Sequence, residues 1–135
     1  MNPAPCSPLK VYLVEDSALL RDRIASLIEP GGEAKIVGAA EDVDTALSGI
    51  EASRADAVIV DLRLTDSNGL DLLTALARQD RRVVKIVLTN YSSPVFRDAS
   101  FAAGADFFFD KTSEFDLARD TITRIAQARP ACVTD

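Results

Sequence analysis

Five short apolar runs alternate with segments of helical spacing along nearly the whole chain of 135 residues. The runs are rich in β-branched or aromatic residues and are too short for helices, so they predict buried strands. Strict alternation of strand and helix predicts an α/β fold, a doubly wound (βα)5 unit with a five-stranded parallel sheet between helices. In such a fold a ligand site lies at the carboxyl ends of the strands. The predicted strands cover residues 11–14, 34–40, 57–60, 83–89 and 105–109.

Apolar stripes and capping residues predict five helices. The fourth is expected to open at Ser93-Pro94, a capping residue followed by one that suits the first helical position, and to stop at Gly104. The fifth is expected to begin near Ser113, with Asp116 as its capping-box partner. The first three are indicated by Leu20, Ile24, Leu27 and Ile28, by Val43, Ala46, Leu47 and Ile50, and by the leucine-rich stretch that follows Asn68-Gly69.

Composition excludes several reaction classes. The chain has no histidine, which excludes a Ser-His-Asp triad and a His-ligated zinc. With no tryptophan, two tyrosines and a net charge of -6, a nucleic-acid-binding surface is not expected. The apolar runs are far shorter than the roughly 20 residues of a membrane span, and no signal-peptide pattern precedes them. We therefore expect a cytoplasmic protein without membrane insertion.

Length and terminal composition predict one domain over residues 9–128. The proline-containing segment 1–8 is expected to be a flexible arm, and residues 129–135 a C-terminal tail. The two cysteines, Cys6 and Cys132, fall in these terminal segments and are expected to be reduced thiols without a role, the alternative being a disulfide that ties the two termini.

Polar and charged residues stand at four of the five predicted strand ends. Glu15 and Asp16 follow the first strand, Asp61 follows the third, Thr89 ends the fourth, and Lys111 lies just beyond the fifth. Three carboxylates in one crevice repel one another, and a hard divalent cation such as Mg²⁺ would compensate. With a lysine point charge and a hydroxyl donor beside them, these groups suit phosphoryl transfer onto an aspartate.

Four segments, VYLVEDS, VIVDLRLTDSNGLDLL, IVLTN and AGADFFFDK, resemble in order and spacing the receiver domain of bacterial two-component response regulators. The resemblance implies a flavodoxin-like sheet in the strand order 2-1-3-4-5 and Mg²⁺ as cofactor. It implies that Asp61 is the phosphoacceptor, assisted by Thr89 and Lys111. It also implies metal ligation by Asp16 directly, by Glu15 through water, by Asp61, and by the backbone carbonyl of Arg63.

The same resemblance implies a signalling role rather than substrate turnover. The phosphoryl donor would be a phosphohistidine on a sensor histidine kinase or a histidine phosphotransfer protein. The signal would pass to an unidentified downstream protein through the face of the fourth helix, fifth strand and fifth helix. Phe108 matches the aromatic switch position that turns inward when Thr89 moves. Strand alternation puts Phe107 and Phe109 on the opposite face, where we expect both in the core.

The chain departs from the family pattern at several positions. Thr65 stands where a proline is usual, and Thr112 replaces the proline that usually follows the lysine, which leaves open whether the Lys111–Thr112 bond is cis or trans. Arg63 and Tyr91 occupy variable positions that help set phosphoryl lifetime in this family. Their bulk and hydrogen bonding are expected to impede the attacking water, the alternative being that both project into solvent.

Three other functions remain open at this stage. The segment DLRLT is superficially similar to the motif of aspartate-nucleophile phosphatases, but Arg63 takes the place of their general acid. An FMN electron carrier would share the fold, but Glu15 and Asp16 stand where its phosphate would bind and would repel it. A degenerate receiver that binds partners without phosphorylation would not need the complete set of Asp61, Thr89 and Lys111.

Overall fold

A five-stranded parallel sheet forms the centre of the molecule. The structure is a computed structural model that describes residues 8–64 and 67–129. The strands are β1 (Leu9–Val14), β2 (Ala34–Ala40), β3 (Ala57–Val60), β4 (Arg63–Leu64), β5 (Ser67–Asn68), β6 (Val84–Thr89) and β7 (Phe107–Asp110). The helices are α1 (Ala18–Ile28), α2 (Val43–Ser53), α3 (Gly69–Ala77), α4 (Pro94–Ala102) and α5 (Phe115–Gln127). The central sheet has the strand order β2-β1-β3-β6-β7. Without the two-residue strands β4 and β5, this is the predicted order 2-1-3-4-5, which confirms the doubly wound, flavodoxin-like fold.

Both faces of the sheet are buried, as expected for parallel strands covered by helices. One face packs against α2 and α3, and its strands contribute Tyr12, Val14, Val58, Val60, Val87 and Phe108. The other packs against α1 and α5, and its strands contribute Leu9, Val11, Leu13, Ile59, Ile86 and Leu88. The uninterrupted apolar runs of the sequence follow from this double burial.

Helix α4 ends as predicted at Gly104, whose φ of +111° favours glycine. The amide of Gly104 donates to the carbonyl of Phe101 at 3.1 Å, and that of Ala105 donates to Ser100 at 2.9 Å. Because these bonds close the helix, Ala105 and Asp106 do not join the last strand, and β7 begins at Phe107 rather than at 105. Ser100 is the one buried residue among the nine of α4.

Two local predictions are wrong. Phe107 is 36% exposed, because it begins the edge strand β7 and only stacks on Phe109, with ring centroids 6.3 Å apart. No capping box joins Ser113 to Asp116 at the start of α5, where the N-cap is Glu114 without a side-chain cap bond. The Ser113 hydroxyl instead donates to the carboxylate of Asp110 at 3.3 Å.

Some sequence predictions fall on residues that the structure does not describe. These are the cysteines Cys6 and Cys132, the departure at Thr65, and nearly all of the predicted arm (1–8) and tail (129–135). Among the described helices, none is long and apolar enough to cross a membrane.

Candidate functional site

The strand register brings the predicted site residues to one edge of the sheet. Val14 pairs with Val60, so Glu15 and Asp61 each leave the sheet one residue later on adjacent strands. The amide of Asp61 donates to the carbonyl of Val14 at 3.0 Å, and the amide of Lys111 donates to that of Thr89 at 2.9 Å. Residues that directly follow the strand ends in the sequence therefore lie close together in space.

Lys111 bridges two carboxylates at the centre of this edge. Its Nζ lies 2.6 Å from Glu15 Oε2 and 2.7 Å from Asp61 Oδ2. The hydroxyl of Thr89 donates to the other carboxylate oxygen of Asp61 at 2.8 Å and accepts a bond from the amide of Tyr91 at 3.2 Å. Glu15, Asp61 and Thr89 are all buried. Both oxygens of Asp61 are therefore fixed, one by a cation and one by a neutral hydroxyl.

Burial and charge act in opposite directions on the ionisable groups. Burial raises the pKa of Glu15, although the ammonium of Lys111 partly opposes it. For Lys111, burial alone would lower the pKa, but its bonds to Asp61 and Glu15 outweigh burial and hold the pKa above its ordinary value. Lys111 is therefore a cation, and it offsets part of the carboxylate charge.

The donor set fits a hard divalent cation. Glu15, Asp16 and Asp61 each offer a carboxylate oxygen, and these oxygens lie within 4.8 Å of one another; Asp16 is exposed to solvent. Three carboxylates and one ammonium leave the cluster a net charge of -2. Oxygen ligands of this kind and charge are those that Mg²⁺ prefers, since Mg²⁺ binds one or two carboxylates and retains several waters.

Gly69 supports the backbone of Asp61, a role that the sequence analysis missed. The hairpin of β4 and β5 returns the chain so that the amide of Gly69 donates to Leu62 at 2.8 Å. A Cβ at position 69 would lie 2.5 Å from the carbonyl oxygen of Asp61 and 2.8 Å from Leu62 Cα. The sequence signal was a glycine at the first position of a helix, directly after the capping Asn68, where most residues would be tolerated.

Arg63 and Tyr91 form a pair beside Asp61. The guanidinium of Arg63 donates to the Tyr91 hydroxyl and lies 5.5 Å from the centroid of its ring. The backbone amide of Arg63 donates to Asp61 Oδ1 at 3.3 Å. Both side chains are exposed but bonded to each other, so they do not simply project into solvent. A cavity of about 260 Å³ adjoins them and is lined by Leu62, Arg63, Ser67, Asn68, Leu70, Tyr91 and Phe96.

Phe108 is buried on the α3 side of the sheet rather than turned outward. Its ring centroid lies 6.5 Å from that of Phe101, and the guanidinium of Arg97 lies 5.7 Å from its centroid. Its role as a switch stays a prediction.

The loop that carries Lys111 has an ordinary trans backbone, because no cis peptide bond occurs in residues 8–64 and 67–129. The departure from proline at Thr112 therefore does not keep Lys111 from Asp61. Asp110, to which the sequence analysis assigned no role, accepts several hydrogen bonds in this loop. These bonds, led by that from Ser92, lower the pKa of Asp110 below its ordinary value.

Comparison with known proteins points to one family. A family model described as "Response regulator receiver domain" matches residues 11–123. The chain is 30% identical over 112 residues to the DNA-binding transcriptional activator DevR/DosR of Mycobacterium tuberculosis, covering 82% of this chain and 52% of that protein. It is 31% identical over 118 residues to the nitrate/nitrite response regulator protein NarP of Escherichia coli, covering 86% and 54%. A protein-glutamate methylesterase/protein-glutamine glutaminase of Idiomarina loihiensis is 25% identical over 90% of this chain and 32% of its own length. The chain thus spans about half the length, or less, of these curated relatives.

Solved structures share the fold. The signal receiver domain of the putative response regulator NarL from Mycobacterium tuberculosis aligns with a TM-score of 0.82 at 21% identity, covering 92% of this chain and all of that one (100%). A LuxR-family two-component response regulator from Aurantimonas sp. SI85-9A1 also gives a TM-score of 0.82, at 25% identity over 93% of this chain and 90% of that one.

Proposed function

This chain belongs to the family of response regulator receiver domains, and we propose that its Asp61 accepts a phosphoryl group from a partner phosphohistidine in a reaction that depends on Mg²⁺. The proposal rests mainly on two contacts that fix the carboxylate of Asp61. Lys111 contacts one carboxylate oxygen at 2.7 Å and Thr89 contacts the other at 2.8 Å. A carboxylate fixed in this way is oriented to act as a nucleophile, since phosphoryl transfer depends mainly on position and charge neutralisation.

In the proposed step a carboxylate oxygen of Asp61 forms a bond to phosphorus while the nitrogen–phosphorus bond of the donor breaks. The donor imidazole leaves with the bonding electrons and takes up a proton from solvent. Lys111 remains beside the new acyl phosphate and neutralises part of its charge. The hydroxyl of Thr89 turns its hydrogen bond from Asp61 to a phosphoryl oxygen, which supplies the first movement of the signal.

Asp16, Asp61 and, through water, Glu15 are the proposed holders of Mg²⁺. The backbone carbonyl of Arg63 suits the role of third direct ligand from the protein, after Asp16 and Asp61. In a strand, the N–H and C=O of one residue point to the same side. The amide of Arg63 already points to Asp61 Oδ1. When bound, the cation adds positive charge against the phosphoryl oxygens.

The signal is proposed to leave through α4, β7 and α5 and to reach a protein target. These three elements carry large apolar side chains that are exposed, a property typical of protein-binding surfaces. The net charge of -6 argues against direct contact of this chain with nucleic acid. The exposed residues are Val95, Phe96, Phe101, Phe107 and Leu117.

We propose no turnover of a separate substrate, beyond hydrolysis of the chain's own acyl phosphate. Relatives named as a transcriptional activator and as a methylesterase both match most of this chain. The matched region is therefore proposed to supply the function that they have in common, rather than transcriptional activation or methylesterase activity. The phosphatase and FMN-carrier interpretations have no comparable support. A cytoplasmic location and a sensor kinase or phosphotransfer protein as the donor stay predictions, as does a downstream protein target, which the sequence does not identify.

The test is treatment with acetyl phosphate and Mg²⁺, followed by intact mass measurement. We expect a gain of one phosphoryl group that is labile to alkali. Asp61→Asn, which keeps the size of the side chain, and addition of excess chelator should each abolish the gain. No gain with acetyl phosphate or with a phosphorylated histidine donor would contradict the proposal.

A further inference from the structure

Asp110, the last residue of β7, has every polar group hydrogen-bonded. Its backbone amide donates to Glu114 Oε1 at 3.0 Å, and its carbonyl accepts from the Glu114 amide at 2.9 Å. Its Oδ1 accepts from the Thr112 amide at 2.8 Å and from the Ser113 amide at 3.0 Å, with the Ser113 hydroxyl at 3.3 Å. Its Oδ2 accepts from the hydroxyl of Ser92, in the loop between β6 and α4. One carboxylate therefore closes the turn after β7 and ties it to a second loop.

This turn carries Lys111. The amide of Lys111 is held by the carbonyl of Thr89 at 2.9 Å, while the residues after it are held by Asp110. The backbone of Lys111 is thus fixed on both sides, which sets the direction in which its long side chain leaves. To contact Glu15 and Asp61 the lysine side chain loses about 2 kcal/mol of rotamer entropy, and a backbone that is already fixed adds no further ordering cost to this.

The residue type at position 112 gives this hold its importance. Threonine leaves φ free where a proline ring would fix it. The side-chain hydroxyl of Thr112 donates to Asn90 Oδ1, but this bond is exposed and 3.3 Å long. The two amide bonds to Asp110 are shorter, and they act directly on the backbone that follows Lys111.

We propose that Asp110 is the positioning residue of Lys111: its carboxylate folds the turn 111–113 so that Nζ reaches Asp61. The inference rests on the phosphoacceptor function proposed above. It predicts that the shape of the acceptor at position 110 matters and that its negative charge does not. An amide oxygen can accept the two backbone bonds, whereas a longer carboxylate would displace them.

Three substitutions separate shape from charge. Asp110→Asn keeps the length and loses the charge, Asp110→Glu keeps the charge and changes the length, and Asp110→Ala removes both. With acetyl phosphate and saturating Mg²⁺, we expect the rate constant of phosphorylation to fall about tenfold or more in the Ala and Glu variants, because small misplacements of a catalytic group are costly. We expect Asp110→Asn to stay within about threefold of the wild-type rate, since the turn persists.

Mg²⁺ affinity gives a readout that general destabilisation would not produce. Lys111 Nζ contacts Glu15 Oε2 and Asp61 Oδ2, and both carboxylates belong to the acidic cluster proposed to bind Mg²⁺. If the turn loosens and Lys111 leaves these oxygens, the cluster is available more often. Calorimetric titration should then show that the Kd for Mg²⁺ falls at least about threefold in Asp110→Ala, while phosphorylation slows. Lys111→Ala supplies the reference for complete removal of the competitor.

The outcomes are distinguishable. A wild-type rate in Asp110→Ala, or a loss in Asp110→Asn as large as in Asp110→Ala, would overturn the positioning role. If Asp110→Ala does not fold by circular dichroism, the Asn and Glu variants decide, since equal rates in these two would overturn it as well. Failure of the wild-type protein to take up phosphoryl would refute the proposed function instead, and the Mg²⁺ titration would still report whether Asp110 holds Lys111.

Discussion

Replacement of Gly69 by alanine should disturb both the stability of the fold and the reactivity of Asp61. The added Cβ would lie 2.5 Å from the carbonyl oxygen of Asp61, whereas real Cβ contacts begin at 3.0 Å and become ordinary at 3.4 Å. The backbone must therefore yield by about 0.5 to 0.9 Å, the difference between these distances. The obstacle is backbone on both sides, Asp61 and Leu62, so no side-chain rotation can relieve it.

The magnitude follows from two opposing effects. Inserting a methyl group into a filled space costs about 1–3 kcal/mol. Alanine in place of glycine in a helix returns roughly 0.5–1 kcal/mol. We expect Gly69→Ala to lower the free energy of unfolding by about 1–2 kcal/mol. Because a displacement of about 1 Å can cost 100-fold in rate, a shift of half that size should slow phosphorylation of Asp61 about tenfold.

Urea unfolding and the rate of mass gain with acetyl phosphate and Mg²⁺ measure the two effects. Asn68→Ala is the matched control at the same helix end. It removes the cap bond to the Leu70 amide, 2.9 Å long, and costs about 1 kcal/mol, but it leaves the Asp61 carbonyl unobstructed. We expect this control to lose stability at an unchanged rate. Wild-type stability and rate in Gly69→Ala, or an equal loss of rate in Asn68→Ala, would refute the reasoning.

Three further predictions concern other parts of the molecule. In the Tyr91→Phe variant the only remaining tyrosine is Tyr12. Burial raises the pKa of Tyr12 above its ordinary value of 10.0. The unfolded chain therefore deprotonates first, and this contribution to stability is complete below about pH 10 and is lost as the pH rises through the folded-state value. Absorbance titration should give a higher midpoint in buffer than in denaturant, and equal midpoints would contradict it. Arg63→Ala removes the hydrogen bond and the ring contact that join Arg63 to Tyr91 beside Asp61, so the acyl phosphate should decay several-fold faster by mass. An unchanged decay would count against a barrier to water. Phe107→Ser should lower the free energy of unfolding by about 1–2 kcal/mol, because it loses the stacking contact with Phe109 and part of its buried area, while Phe108→Ala should cost about 3–5 kcal/mol. Similar losses would show that the edge strand is covered.

The main features of the fold could be predicted because they depend on local pattern. Strands β2 and β3 have the predicted bounds, since uninterrupted apolar runs need burial on both faces. The site was predictable for a related reason. In a parallel sheet, residues that follow strands collect at one edge, so position along the chain was enough to bring Glu15, Asp61 and Lys111 together.

The failures depend on contacts between distant segments. The close approach of Gly69 to Asp61 requires the β4–β5 hairpin, which the sequence analysis did not predict. Ser113 could not be recognised as a partner of Asp110 from capping rules, because both patterns use the same residue types. The exposure of Phe107 depends on its place at the sheet border, and alternation reports only which face a side chain takes.

Helix α4 makes few buried contacts with the rest of the molecule. Only one of its nine residues is fully buried and Phe96 and Phe101 are each 40% exposed, so it gains limited hydrophobic stabilisation from its present place. A segment of this kind can be displaced for a small cost in free energy, comparable to a few hydrogen bonds. If Asp61 is phosphorylated as proposed, a modest change in free energy at that carboxylate would therefore be enough to shift the positions that this helix occupies.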